Sequence, residues 1–476
     1  MEKNLLEGEQ TRSPLLVHRA NGRDDSEMQS NNDGESPATT IVVISTLIAC
    51  CGSYVFGAAV GYSSPAESGI MDDLGLSDAA YSVFGSILTL GALLGAVMCG
   101  KMADLIGRRG TMAFSQIFCI IGWFAIAFAE GAWNLDLGRL SLGYGIGLLS
   151  YVVPVYIAEI TPKNLRGGFT TVNQLLVTTG LSMTYLIGIV VNWRVLSLIG
   201  VVPCVLQLLG LYFMPESPRW LAMLGRWSQC KVALQRLRGQ NANISEEEHE
   251  IREYTETLQL FPNPNIFDIF RRKYAHSLIV GVGLMVLQQF GGVNAIGYYA
   301  AAIFESAGFS STIGTIAIAV VQVPMTLLGV LLMDRSGRRP LLMISAAGTC
   351  LGSFLIGLSF LMQDDQAWEE ITPILAVVGA VLFRGMFALG MGGIPWVMMS
   401  EIFPINMKVL GGSLVTAVNW FFTWVISYTF TFLMEWSSDG TFFMFAIMGA
   451  LTILFVAKLV PETKGRTLEE IQASMN

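Results

Sequence analysis

Amide side chains sit inside otherwise apolar stretches of this 476-residue chain, among them Gln174, Gln288, Gln289, Asn294, Gln322 and Asn419. An amide both donates and accepts hydrogen bonds and carries no charge. In an apolar medium it can hold a neutral polar ligand, or bond a neighbouring helix, without the desolvation cost of an ion. Covalent chemistry finds little support. The three histidines, His18, His249 and His276, lie outside the middle of the apolar stretches. No cluster has metal-ligand spacing. The chain reads as a non-enzyme without metal or cofactor.

Charged residues form a second constellation. Asp104-Leu105-Ile106-Gly107-Arg108-Arg109 recurs 230 residues later as Asp334-Arg335-Ser336-Gly337-Arg338-Arg339. Each copy lies between two apolar runs, so the chain reads as two related halves. Glycine permits a tight turn there. Glu159 through Arg166 is matched by Glu401 through Lys408, and the Pro215–Arg219 segment with Glu216 by Pro461-Glu462. The expectation is a set of ion pairs that latches the halves together in one state and breaks in another. Its members are Asp104, Arg108, Arg109, Glu159, Arg166, Glu216 and Arg219, then Asp334, Arg338, Arg339, Glu401, Lys408 and Glu462. Helix capping and plain surface charge are the simpler alternative. Lys408 lacks the bidentate geometry of arginine, so the second set is expected to be weaker.

The elements that carry these residues follow from composition. The chain is 53% hydrophobic and 13% charged, with a mean hydropathy of +0.56; a soluble domain carries roughly 25% charged residues. A membrane span needs about 20 apolar residues. Twelve such stretches begin near Thr39, Ala80, Thr111, Trp133, Gly167, Trp193, Ser277, Thr312, Pro340, Pro373, Leu410 and Thr441. The expected fold is an all-α membrane protein of twelve transmembrane helices in two six-helix bundles. Residues 1–38 form a polar tail read as disordered, 39–214 the first bundle, 215–276 a cytosolic helical loop, 277–461 the second bundle, and 462–476 a short tail. Within the loop, helices are expected over Gln229–Gly239 and Glu246–Gln259.

Of the 28 Lys and Arg residues, all but Arg139, Arg194 and Arg384 fall on one side of this arrangement. By the positive-inside rule that side, with both termini, is cytosolic. The seven cysteines lie in apolar stretches or in the loop, so no disulfide framework is implied.

The signature segments together resemble the sugar porter family of the major facilitator superfamily. They are Gly100–Arg109, Arg139–Gly147, Pro154–Gly167, Pro215–Arg219, Gln288–Tyr299 and Pro461–Arg466. The resemblance covers about residues 39–470. The segments Gly390–Trp396 and Glu401–Lys408 are similar to the plant early-response-to-dehydration-like sugar transporters. The resemblance implies the major facilitator fold and transport of a monosaccharide by alternating access. It assigns sugar contacts to Gln174, Gln288, Gln289, Asn294, Trp396 and Asn419, with Gln322 at a position where the family often has an amide. Phe387 and Trp420 are candidate pocket walls, and Tyr298 and Tyr299 a candidate outer gate. Gln288 and Asn294 would lie roughly 120° apart on a regular helix; an irregularity at Gly291-Gly292 lets both face inward.

Two departures matter. Proton-coupled members carry an acid on helix one within F-G-x-D-x-G, whereas this chain has Phe56-Gly57-Ala58-Ala59-Val60-Gly61. Ala59 cannot exchange a proton, which favours facilitated diffusion; coupling through another group stays open. Arg384 lies about 11 residues, or roughly 16 Å, into helix ten, and the family pattern does not supply it. The partners implied are a monosaccharide and the lipid bilayer. No nucleic acid is expected, and the chain is expected to work as a monomer. Leu5-Leu6 and Leu15-Leu16 are candidate signals for sorting adaptors, which favours the vacuolar membrane. A sugar sensor on the same fold is the competing reading; the short tail beyond Thr463 argues against it.

Overall fold

The computed structural model describes residues 39–162, 165–260, 266–363, 365–403 and 407–464. The two dileucine pairs and the tail of residues 1–38 lie outside them, as do the side chains of Arg166, Asp334 and Lys408.

The first half comprises α1 (Thr40–Gly61), α2 (Ser63–Leu74), α3 (Asp78–Ala127), α4 (Ala132–Ile160), α5 (Arg166–Gly188) and α6 (Trp193–Leu211). Three short helices follow: α7 (Pro218–Met223), α8 (Trp227–Arg238) and α9 (Ser245–Leu260). The second half holds α10 (Ala275–Phe290), α11 (Val293–Tyr298), α12 (Ala300–Ser306), α13 (Ser311–Ser336), α14 (Arg338–Leu361), α15 (Thr372–Met386), a π-helical turn (Phe387–Met391), α16 (Ile394–Ile402), α17 (Lys408–Trp436) and α18 (Ser438–Leu459). At 50 residues α3 is about 75 Å long, enough for two passages. With α10–α12 and α15–α16 each read as one broken passage, the chain crosses twelve times. Side chains such as Val97, Ile121, Leu331 and Ile447 are more than half exposed on the outside of the bundle, where lipid covers them.

Small residues set the packing inside each half. A Cβ on Gly91 or Gly95 would lie 2.4 and 2.3 Å from the carbonyl oxygens of Leu140 and Tyr144 on α4. A Cβ on Gly143 or Gly147 would lie 2.1 and 2.3 Å from those of Leu88 and Ala92 on α3. In lipid there is little hydrophobic drive between helices, so such close backbone approach supplies the attraction.

The repeated hairpins form the charged end of the bundle. Gly107 breaks α3 with φ 80°, ψ 174°, and Gly337 separates α13 from α14 with φ 91°, ψ 168°. Each turn leaves unpaired N–H groups at the start of the next helix. Glu216 accepts from the N–H of Arg108 at 3.2 Å and of Arg109 at 3.3 Å. Glu462 accepts from Arg338 and Arg339 at 3.0 Å each. Above them, Arg108 grips Glu159 through Nε and Nη2, both at 2.9 Å, and Ser217 donates to the same carboxylate at 2.6 Å. In the second half Arg338 reaches Glu401 at 3.1 Å and Thr463 donates to it at 2.5 Å. Asp104 adds a 3.5 Å contact to Arg108, and Arg339 bonds the Ala457 carbonyl.

The latch expected from sequence to join the halves in one state is not made among the described residues of this structure. The observed pairs run within each half, not between the halves, because each hairpin turns back against helices of its own bundle. Arg219 joins neither cluster; its guanidinium lies 5.6 Å from the centre of the Tyr254 ring. The helical loop is tied to the first half. Arg238 forks onto Glu247 at 2.8 and 2.7 Å and caps the Ile160 carbonyl at 2.9 Å, and Thr39 donates to Leu237 O.

The twin carboxylates are shifted in opposite directions. Burial pushes Glu216 above its ordinary value, against the pull of the Ser217, Arg109 and Arg108 N–H groups. Glu462 is less buried, and the N–H groups of Lys464, Arg338, Arg339 and Thr463 together outweigh burial and hold it below its ordinary value. A depressed carboxyl contributes stability above its unfolded pKa that is lost as pH falls; a raised one contributes stability at low pH that is lost as pH rises. Glu462→Gln should therefore lower the melting temperature in detergent most at pH 7 and least near pH 4. Glu216→Gln should show the opposite slope, and equal slopes would contradict the assignment. An alanine at Gly107 or Gly337 would also strike Glu216 or Glu462, 2.6 and 2.7 Å from its Cβ. Each substitution should cost about 1–3 kcal/mol, and the pair should add because the sites lie in different halves. Thermal unfolding of the two single variants and the double checks this.

Candidate functional site

Helix seven is interrupted where the sequence places its glycines. α10 ends at Phe290, Gly292 takes φ 83°, and α11 restarts at Val293. The break brings four of the expected residues into one hydrogen-bonded chain. Asn294 Nδ2 donates to Gln289 Oε1 at 2.6 Å. Gln289 Nε2 donates to Asn419 Oδ1 at 2.7 Å and to Gln288 Oε1 at 3.0 Å. Gln288 Nε2 donates to the Met391 carbonyl in the π-helical turn. Gln288, Gln289 and Asn419 are buried, while Asn294 is half-buried at the open edge of the cluster. The arrangement is neutral, with donors and acceptors side by side, which suits a ligand bearing several hydroxyls.

Beside it, a small cavity of about 20 Å³ adjoins Gln288, lined in part by Gly291, Phe383, Phe387 and Met391. The π turn that borders it is fixed from two sides. Ser345 Oγ donates to Met386 O at 2.6 Å and accepts from Met391 N at 2.9 Å, while Gln288 bonds Met391 O. Such turns occur often at functional sites. Beyond it Trp396 is half-buried on α16. Across from this helix, the Gln174 side chain on α5 lies 3.8 Å from where a Cβ on Gly393 would stand. Trp420 is buried with its indole N–H unpaired, and its ring meets Phe56 of the first half edge-on at 5.8 Å.

Gln322 stands apart from the amide cluster. It donates to Ser182 Oγ on α5 at 2.6 Å, and its own oxygen accepts from Arg384 at 3.1 Å. Thr326, one turn on, donates to Thr178 Oγ1 at 3.1 Å. These join the two halves at mid-depth. Farther from the charged end the halves meet again. Tyr185 donates to Gly297 O, Ser64 accepts from Ala301 N at 3.0 Å, and Ser82 donates to Thr431 at 2.7 Å. Tyr298 and Tyr299 are both buried here. The Tyr299 ring lies 6.3 Å from Tyr81 and 5.2 Å from Phe430, and its oxygen is 2.8 Å from where a Cβ on Gly85 would be. The far end is thus closed by aromatic rings and neutral hydrogen bonds.

Ala59 and Arg139 meet at the first half's buried centre. The Arg139 side chain, fully buried, donates to the Ala59 carbonyl at 2.9 Å and to Ser63 Oγ. Its guanidinium lies 5.0 Å from the Phe84 ring centre and 5.7 Å from that of Tyr62. A backbone carbonyl, a hydroxyl and two ring faces meet this cation, while its Nε has no partner. Among the described residues no group of three or more His, Cys, Asp and Glu is placed to hold a metal.

The sequence reading missed Ser182, Thr178, Thr326 and Ser345, and also Asn173, which accepts from Ser53 at 2.5 Å. Asn173 carried a signal, since it is another amide in an apolar helix. The hydroxyls carried none, since serine and threonine are common in such helices and only helix rotation decides their partners.

Comparison with known proteins agrees with this geometry. Residues 25–475 match the family described as Sugar (and other) transporter. The chain is 54% identical over 461 residues to Sugar transporter ERD6-like 16 of Arabidopsis thaliana, covering 97% of this chain and 94% of that one. It is 52% identical over 474 residues to Sugar transporter ERD6-like 8 of the same plant, covering 99% of each. The proton:xylose symporter XylE bound to 6-bromo-6-deoxy-D-glucose superposes with a TM-score of 0.77 at 26% identity, over 92% of this chain and 99% of that one. An inward-open structure of XylE from E. coli gives a TM-score of 0.75 at 26% identity, over 91% and 99%. With nearly its whole length matched, its twelve passages in two halves and its amide cluster between broken helices, this chain belongs to the sugar porters of the major facilitator superfamily.

Proposed function

We propose that this protein carries a glucose-type monosaccharide across a membrane by alternating access, as a facilitator that is not driven by protons. The observation that carries the sugar reading is the neutral amide cluster in which Gln289 bonds Asn294, Asn419 and Gln288, set where helices seven and ten both lose regular α geometry. Gln174 and Trp396 complete the site from the facing side, and Gln322 adds a donor once it leaves Ser182. Trp420 and Phe387 form its walls, and Tyr298 and Tyr299 the outer gate. The charged end faces the cytosol with both termini, and the protein works as a monomer. The dileucine pairs of the tail support residence in the vacuolar membrane.

Ala59 supports the absence of coupling, because Arg139 already has neutral partners and no carboxylate beside it. Proton coupling, if it occurred, would need another acid. Glu67 on α2 is the specific alternative: burial, with the nearby Glu305 and Asp78 charges, pushes its carboxyl up to about 8, and one of its oxygens is buried without a partner.

Purified protein in liposomes is expected to equilibrate labelled glucose with no pH gradient, and an imposed gradient should not drive accumulation. Accumulation above equilibrium that disappears in Glu67→Gln would replace the facilitator reading with coupling through that acid. Gln289→Ala leaves Asn294 and Asn419 without their shared partner and should lower sugar affinity by at least tenfold, since each buried polar group left unpaired costs about 1–3 kcal/mol. Equilibrium binding of labelled sugar to folded protein measures this; unchanged affinity removes Gln289 from the site.

A further inference from the structure

Arg384 is 7% exposed at mid-depth on α15. A cation at such a depth is costly and ordinarily pairs with an acid or lines water. Here its observed partners are neutral oxygens. Nη2 donates to Gln322 Oε1 at 3.1 Å, Nη1 reaches Val293 O at 3.4 Å, and Nε has no partner. Gln322 then donates from Nε2 to Ser182 of the other half at 2.6 Å.

The order of these bonds is not arbitrary. A glutamine amide can turn either end toward a neighbour, and its two ends are close in shape. A guanidinium has five donors and no acceptor, so only the carbonyl end of Gln322 can face Arg384. The NH2 end must then point across the interface. Serine would accept either end, and so leaves the polarity undetermined. The bond to a charged donor is also about twice as strong as a neutral one.

We infer that Arg384 is the positioning residue of a catch at the midplane: it polarises Gln322 into a pure donor, which closes on Ser182 when the carrier is empty and must let go before the far end can open. The inference rests on the alternating-access reading and adds to it a step that limits the return of the empty carrier. A sugar hydroxyl oxygen that takes the Gln322 NH2 replaces Ser182 and releases the catch, so loaded carrier turns over faster than empty carrier. Thr326 and Thr178 continue the same seam one turn away, but neither touches the cation.

The test compares wild type, Arg384→Met, Ser182→Ala and the double variant in liposomes, measuring equilibrium exchange and zero-trans uptake of labelled glucose. Each single variant should lower the ratio of exchange to uptake by about fivefold, the worth of one net hydrogen bond. The double variant should fall no further than Arg384→Met alone. An unchanged ratio in either single variant, or effects that multiply in the double, overturns the inference. Should Arg384→Met not fold, Arg384→Lys takes its place. Lysine keeps a donor and the charge, so it should keep at least half of the wild-type ratio while Ser182→Ala does not; equal losses overturn the inference. If wild type moves no glucose, the proposed function fails and the catch is tested separately by thermal unfolding of the same proteins. Non-additive shifts for Arg384→Met and Ser182→Ala then support it, and additive shifts overturn it.

Discussion

In each half, one carboxylate sits on the first N–H groups of the helix that leaves a glycine turn. Those groups have no partner inside their own helix, and the helix dipole favours an anion beside them. Glu216 and Glu462 thereby fix the angle at which two long helices meet. With that angle set, Arg108 and Arg338 point at Glu159 and Glu401, which end other helices of the same bundle. The rest of each half follows from this corner, because the glycine seams between α3 and α4 hold only if the helices approach at a fixed angle.

Bonds between halves are of another kind. Ser82 with Thr431, Thr326 with Thr178, and Tyr185 with the Gly297 carbonyl are neutral pairs. A neutral hydrogen bond contributes about 0.5–1.5 kcal/mol net and one to a charged group about 1.5–3. The ordering of strengths fits the alternating access proposed above, in which the corners would hold while the seam parts. Arg384 is the exception, a cation at the seam, and it reaches across only through the amide of Gln322.

Much of this was legible in the sequence because the signals were rare. Duplicated glycine-arginine turns, amides within apolar runs and paired glycines are each uncommon, and their spacing gave twelve passages, two halves and the break in helix seven. Gln288, Gln289, Asn294 and Asn419 met as the broken helix allows. The pairing of charges was less accessible. Glu159, Arg108, Glu401 and Arg338 all belong to one edge, and sequence order places a residue on an edge without saying which neighbour it faces. Their segregation into two separate clamps needed coordinates. Gln322 was grouped with the sugar contacts by residue type and by the family position it occupies, whereas its present partners depend on how α5 and α13 are rotated toward one another.

The π turn at Phe387–Met391 has a geometric consequence for the helix that carries Trp396. It holds one residue more than an α-helical turn, and its edges are marked by Ser345 at Met386 and Met391 and by Gln288 at Met391. An extra residue of this kind can shift along a helix without the chain unwinding, since each step exchanges one backbone bond for another. Moving it by one position turns only the residue it passes, by about 100°, and leaves the helix beyond in phase. The bulge is thus a movable stitch that can re-aim one side chain at a time while Trp396 keeps its place, and Gln288, which holds Met391, ties that stitch to the amide cluster.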